Sequence, residues 1–191
     1  MAVAKAPASH DLASTLARDW ALQVQDPDGK WTFVRGLSKF APKTTPTMKD
    51  DSDIDSEGYK SQIATALQMT FEGEGFRKGE LAGESFAQDP GQAILREVGR
   101  QMGLRNVVKA RAWRTDGVDE GYESSFSVEW TDNDGGNEDL DQFSFSLMSR
   151  GKPAKIHPVE NPTGESVPFG DNGGVPEAIA PGGNSAGGTD Q

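Results

Sequence analysis

The sequence predicts a mainly β domain, a β-sandwich or partial barrel with one flanking α-helix, which is α+β by content. Two observations lead to this prediction. Between residues 20 and 156, most apolar residues alternate with polar or small ones, as in half-buried strands. One segment near residue 95 has a helical period instead, and it separates two groups of strands. That order favours a sheet covered on one side by a helix.

The chain is expected to divide into three parts. Residues 1–19 are predicted to be an N-terminal arm, in which Leu12 and Leu16 permit only a short helix. Residues 20–156 are predicted to form the β domain. Residues 157–191 are rich in Gly and Pro and contain no Lys or Arg. They are predicted to be an extended tail, which neighbouring chains would hold if it were ordered.

The first elements of the domain are predicted to be a β-hairpin. Trp20, Leu22 and Val24 alternate with small or polar residues, and a second strand over residues 30–37 follows. The sequence DPDG at residues 26–29 is a strong turn signal, because proline presets φ and glycine tolerates a positive φ.

Residues 41–58 have no usable period, contain Pro42 and Pro46, and are expected to form a long loop. Long ordered loops in compact domains are usually functional. A strand of about ten residues follows, with Ile63, Leu67 and Phe71 on its apolar face. The glycines between residues 73 and 83 predict an irregular connection.

Residues 89–103 are predicted to contain the helix. Asp89 can cap its first turn, with Pro90 at the first helical position and Gln92 at a capping-box spacing. Ile94, Val98 and Met102 are expected to form its buried stripe. Three alternating segments follow, at residues 106–114, 122–130 and 143–148, and they predict a three-stranded meander.

Composition excludes several classes of function. The formal net charge of -11 argues against tight nucleic-acid binding and against a polybasic membrane-surface binder. The chain has no cysteine and only His10 and His157, so thiolate chemistry, a catalytic triad and a multi-histidine metal site are not expected. No apolar run approaches the ~18 residues of a transmembrane helix. No enzyme activity, cofactor or metal is therefore predicted.

One alternative to be weighed is a monomeric calcium- or carbohydrate-binding β-sandwich module. Asp51, Asp53 and Asp55 resemble the start of an EF-hand loop. Ser56 and Gln62 stand where that loop needs Gly and Glu, which weakens the calcium interpretation.

Several strands pair an apolar face with a face of hydroxyl, amide and acidic side chains. That second face could line a wet channel, or it could be an ordinary solvent face. The candidate channel residues are Gln62, Gln68, Thr70, Ser125, Ser127 and Glu129.

The order of several short motifs resembles the major tail tube proteins of long-tailed, siphovirus-type bacteriophages, particularly those of actinobacterial hosts. The resemblance covers roughly residues 19–156. The segments that carry it are residues 20–24, 31–37, 53–59, 89–92 and 112–117.

This resemblance implies a structural virion protein of the phage tail, made in the cytoplasm of the host bacterium. Six copies would form a ring, and rings would stack around a tape-measure protein into the conduit for DNA ejection. It also implies contacts with tail terminator and distal tail proteins, passage of double-stranded DNA without specific binding, and no membrane. A related secretion-system tube is the alternative within this fold.

Within such a tube, the loop at residues 41–58 is expected to reach the adjacent ring, because it has no place in a single-chain core. Its candidate contact residues are Lys43, Thr44, Thr45, Lys49, Asp50, Asp51, Asp53 and Asp55. The channel is expected to be lined mostly by Ser, Gln, Thr and acids, because an acidic wall repels phosphates.

Overall fold

A computed structural model describes residues 13–16, 18–56 and 58–169 of the chain. Within these residues there are ten strands, one α-helix and two single-turn 3-10 helices, Ile54–Ser56 and Gly103–Asn106. In chain order, the strands and the α-helix are β1 (Trp20–Gln25), β2 (Trp31–Phe33), β3 (Leu37–Asp50), β4 (Gln62–Phe76), β5 (Gly79–Ala82), β6 (Ser85–Gln88), α1 (Pro90–Gly99), β7 (Val107–Arg114), β8 (Gly121–Asn133), β9 (Gln142–Ser149) and β10 (Ala154–Lys155).

Eight of the strands form one antiparallel sheet in the order β2-β1-β7-β8-β9-β4-β3, with β10 paired to β8. Strands β5 and β6 pair with each other in a separate hairpin. The predicted first hairpin is present, although its second strand ends at Phe33, and the predicted meander corresponds to β7, β8 and β9. The mainly β fold with one flanking helix is confirmed.

The sheet curls, so that strands far apart in its order share one core. The ring of Trp20 on β1 lies 6.0 Å from that of Phe40 on β3, near the other end of the sheet. The ring of Phe71 on β4 packs against the ring of Phe40. Its centroid also lies 4.5 Å from that of Phe126 on β8. An open cavity of about 470 Å³ separates the start of β1 from Leu37 and neighbouring residues of β3. The sheet is therefore a partial barrel that stays open at this seam.

Helix α1 packs against β1, β2, β7 and β8 and is shorter than predicted. Leu95 is fully buried in the core, with Ile94 and Val98 packed around it. Met102 is 87% exposed, so its predicted place in the buried stripe is wrong. The reason is local: the helix ends at Gly99, and Met102 has an extended backbone.

Two buried polar side chains fix the start of α1. Asp89 accepts from the backbone N–H of Gln92 at 3.2 Å and from Nε of Arg35 at 2.6 Å. The side-chain amide of Gln92 donates to the carbonyl oxygens of Arg35 (2.6 Å) and Phe76 (3.1 Å), and accepts from the N–H of Lys78 (3.2 Å). This Asp89–Gln92 junction ties the helix to the β2–β3 corner and to the end of β4.

The segment expected to be a loop at residues 41–58 is mostly strand. β3 pairs with β4 along its whole length, from Leu37 opposite Gly75 to Asp50 opposite Gln62. Pro42 and Pro46 hid this strand, because proline cannot complete a ladder on both sides. They are tolerated here because, among the described residues, β3 has one neighbouring strand and is an edge.

Two of the four glycines that predicted an irregular connection instead extend β4, which runs to Phe76. Gly73 and Gly75 lie opposite Phe145 and Phe143 of β9. A Cβ atom at Gly73 would overlap the Phe145 ring, and one at Gly75 would lie 2.9 Å from the Phe143 ring. Because Gly73 and Gly75 lack a side chain, the rings of Phe145 and Phe143 fit against them. These glycines therefore do not break the strand.

Residues 156–169, which we name the C-terminal strap, are held by the chain's own sheet. Arg111 is fully buried, and its guanidinium donates to the carbonyl oxygens of Pro162 and Gly164 and to the hydroxyl of Ser166, each at 2.9 Å. The guanidinium also lies 4.1 Å from the ring of Trp31. Burial lowers the pKa of Arg111. Residues 170–191 of the predicted tail, and residues 1–12 and 17 of the predicted N-terminal arm, lie outside the described residues.

Replacing Arg111→Met is expected to lower the free energy of unfolding by about 2 kcal/mol or more, because strap carbonyls lose their buried donor. It should also expose the strap to proteases, which limited proteolysis with mass spectrometry would detect. The exposed Arg150 supplies the control, since Arg150→Met removes the same charge without touching the strap. Equal protease resistance in the two variants would show that Arg111 does not hold the strap.

Replacing Gln92→Leu is expected to destabilise the domain by about 2 kcal/mol, because three backbone groups at the Asp89–Gln92 junction lose their partner. Thermal and chemical unfolding measure the change. Gln101→Leu is the matched control, because the side-chain amide of Gln101 donates to the exposed side chain of Glu97. If both variants unfold like the parent protein, the junction contributes nothing to stability.

Candidate assembly interface

The outer part of the β3–β4 hairpin projects from the domain. We name residues 43–68 the arm; this segment is distinct from the predicted N-terminal arm of residues 1–19. Phe40, Met69 and Phe71 are buried where the two strands enter the core. Beyond them, every residue from Lys43 to Asp50 and from Gln62 to Gln68 is exposed on both faces of the ribbon. The arm is thus a two-stranded structure with no core of its own.

Apolar side chains on the arm face solvent. Leu67 is 72% exposed, and Ile63 and Met48 are also exposed. Isolated two-stranded ribbons are marginally stable in water and need a third strand or a packed face. The arm therefore has the composition of a surface that another molecule covers.

The end of the arm is closed by short polar contacts. The backbone N–H of Ser61 donates to Oγ of Ser52 at 2.8 Å, and Asp50 accepts from the backbone N–H of Ser52 at 2.9 Å. The backbone N–H and the hydroxyl of Ser52 lower the pKa of Asp50. Ile54 is 99% exposed at the tip, and Tyr59 is exposed beside it. The arm thus ends in acidic side chains around two exposed apolar ones.

The structure brings all the predicted contact residues of the former loop into this one element. Five lie on β3 within the arm, and three lie in the connection after it; all are exposed. The strand residues are Lys43, Thr44, Thr45, Lys49 and Asp50, and the connecting residues are Asp51, Asp53 and Asp55. Among the described residues, no group of three or more His, Cys, Asp or Glu side chains is arranged to hold a metal ion.

A second surface is the outer face of the sheet, opposite the core. Across the three neighbouring strands β4, β9 and β8, Thr70 pairs with Met148, and Met148 pairs with Ser127. In the next row of pairs Glu72 and Glu129 flank Ser146. We name this surface the polar face; its members include Gln68, Thr70, Glu72, Glu74, Ser125, Ser127, Glu129, Ser144 and Ser146.

Five of the six predicted channel residues share the polar face, and Gln62 is separated from them by a bulge. Thr47 pairs with Ala66 and Met48 with Ala64, so Thr65 is an extra residue in β4. The extra residue interrupts the alternation of β4. The position of Gln68 on the polar face therefore does not place Gln62 on the same side of β4. The period-two pattern of the sequence contains no sign of the extra residue.

Three lysines that the polar pattern did not include lie beside the polar face: Lys39 and Lys43 on β3, and Lys109 on β7, which pairs with Ser125 and lies 2.7 Å from Glu123 Oε1. Lys39 Nζ lies 2.7 Å from Glu74 Oε2, and Lys43 Nζ lies 3.8 Å from Glu72 Oε1. All four side chains of these two β3 pairs are at least half exposed, so these ion pairs add little stability. They do, however, place a carboxylate beside each lysine charge.

No protein-family model and no curated protein matches the chain. Within the described residues, no helix has the length and apolar character needed to cross a membrane.

Solved structures do match. One is a chain in the virion of a native gene transfer agent particle, and another is a chain in the tail of an empty gene transfer agent particle, refined with helical C6 symmetry. Each is 12% identical to this chain with a TM-score of 0.54, and each match covers 74% of this chain and 98% of the other. Both are components of phage-like particles, and neither description names an enzyme. At this identity the likeness shows that the chain has their fold.

Proposed function

We propose that this protein is a structural subunit of a phage-type tail tube, and that six copies form rings that stack into the tube. The observation that carries the proposal is the arm, a long hairpin that leaves the core with apolar side chains exposed. The fold shared with a tail particle of C6 symmetry supports the ring of six. Ring formation would cover surfaces that a monomer leaves in water.

In this proposal the arm contacts the adjacent ring. Strand residues 43–50 extend by ~3.3 Å each, or about 26 Å in all, which is enough to leave the subunit's own domain. Ile54 and Tyr59 at its tip supply apolar contacts, and Asp51, Asp53 and Asp55 supply charge. Adding one ring would thereby cover the arms of the ring beneath it.

The polar face is proposed to line the channel through which double-stranded DNA leaves. Hydroxyl and amide groups keep such a wall wet, and Glu72, Glu74 and Glu129 repel phosphates. Lys39 and Lys43 are each beside a glutamate, which limits the counterion release that makes DNA bind. DNA would therefore pass without being held.

The same proposal extends to the partners of a tail. A tape-measure protein would occupy the channel during assembly, and terminator and distal tail proteins would close the two ends of the tube. The particle would be of the siphovirus type and the host an actinobacterium, as the sequence resemblance implies. Microscopy of the native particle tests this directly, since a contractile sheath or a secretion apparatus around the tube would contradict it.

Replacing residues 45–68 by Asn-Gly tests the arm. The new turn follows the Thr44–Met69 pair, so the core strands stay joined and the domain should fold. Circular dichroism and thermal unfolding establish folding. Negative-stain microscopy of concentrated, seeded protein should then show tubes for the parent chain and none for the variant. Stacked tubes of normal appearance from the variant would overturn the role of the arm.

Replacing Thr70→Lys together with Ser127→Lys tests the channel wall. Tubes should still form, but the added cations should retain DNA, lowering infectivity or DNA release about tenfold or more at low salt and less at high salt. The exposed Thr163 on the C-terminal strap provides the control variant, Thr163→Lys. An identical DNA-release rate in the parent and the double variant would place the polar face outside the channel.

A further inference from the structure

Two exposed apolar surfaces lie at opposite ends of α1, and neither belongs to the arm or to the polar face. The hairpin patch consists of Leu81 and Phe86, which pair directly across β5 and β6 just before the helix. The helix-end patch consists of Met102 and Leu104, just after it. Leu81 is 80% exposed and Met102 87%, so both patches are open to solvent.

The hairpin patch is preformed although its hairpin is small. Strands β5 and β6 have four residues each and, among the described residues, pair only with each other. The ring of Phe86 lies over Gly79, where a Cβ atom would overlap it. The contact with Gly79 fixes the Phe86 ring over strand β5, beside the side chain of Leu81. So short a ribbon with an apolar face is marginal in water without a further surface against it.

The helix-end patch is also held in place. Gly103 adopts φ +64°, a conformation that turns the chain sharply after α1. Asn106 then anchors the turn to the sheet: its amide donates to the carbonyl of Val128 at 2.8 Å, and its oxygen accepts from the Val128 N–H at 3.0 Å. Met102 and Leu104 are thus presented to solvent from a fixed backbone.

The two patches carry charges of opposite sign. Glu80 and Glu84 flank the hairpin patch, and both are exposed; Glu80 also contacts Arg35 at 3.7 Å, so Glu84 is the carboxylate used in the test. Arg105 and Arg100 flank the helix-end patch, and both are exposed. Arg100 also contacts Asp132 at 3.2 Å, so Arg105 is the cation whose replacement disturbs the fold least. Each surface therefore has an apolar centre and a charged rim that complements the other.

We infer that the hairpin patch of one copy docks onto the helix-end patch of the next copy within the same ring. The two patches are different surfaces, separated by a ten-residue helix about 15 Å long. A contact between different surfaces is heterologous, and it generates a closed ring when the rotation closes. The inference rests on the proposed function and names an interface within the ring, separate from the arm.

A charge exchange tests this interface. Glu84→Lys and Arg105→Glu should each raise the protein concentration needed for assembly about tenfold or more, because like charges then meet across the contact. The double variant carrying both changes restores opposite charges and should assemble within about threefold of the parent chain. Sedimentation and negative-stain microscopy of seeded protein measure assembly, and thermal unfolding shows that each variant is folded.

The apolar centre is tested separately. Leu81→Ser with Phe86→Ser should abolish rings, whereas Leu140→Ser, at an exposed apolar residue in the β8–β9 connection, should not. Single charge variants that assemble normally, or a double variant that fails to recover, would overturn the inference. If these variants assemble but the arm-replaced chain does not, the tube remains and only this interface is wrong. If the parent chain never forms rings or tubes when seeded, the proposed function itself fails.

Discussion

Strand β4 is half in the core and half in solvent. This division fixes where the folded domain ends and where the arm begins. From Met69 onward its inner side chains are in the core; before Met69 the strand runs into solvent with β3 as its one partner. Hydrogen bonds alone do not stabilise a two-stranded ribbon, because water competes for the same groups. In the proposed tube a neighbouring subunit supplies the apolar contacts that the arm lacks, while the core anchors its base.

Buried polar groups fix the end of the β3–β4 hairpin that lies away from the arm. The Asp89–Gln92 junction connects the helix start to both strands that carry the arm, through backbone groups of Arg35, Phe76 and Lys78. Arg111 performs a similar task on the other side of the sheet, where it binds strap carbonyls. Such groups are costly when unpaired, so each one specifies a single arrangement of the segments that it joins.

The sequence predicted the elements whose side chains alternate or carry caps, namely the first hairpin, the start of α1 and the meander. It missed β3, because Pro42 and Pro46 resemble breaks unless the strand is known to be an edge. It missed the continuation of β4, because Gly73 makes room for Phe145, which is distant in sequence. The strap was unpredictable for the same reason, since Arg111 recognises backbone carbonyls, and these carry no sequence signal.

The polar face shows the same division between local and long-range information. Period-two spacing correctly placed Thr70 on one side of β4, and the pairing through Met148 joins it to Ser127. Neither the bulge at Thr65 nor the ion pairs of Lys39 and Lys43 follows from spacing within one strand. They arise from the register between strands, which a single sequence does not encode locally.

The two prolines of β3 have a consequence for how separate copies of the chain behave toward one another. A free strand edge has unpaired backbone N–H and C=O groups that can pair with a strand of another chain. Long, flat edges are therefore common sites of aggregation. Pro42 and Pro46, four residues apart, each delete one N–H donor from this strand. A strand from another molecule therefore meets an interrupted row of donors along β3, which disfavours indiscriminate edge-to-edge pairing.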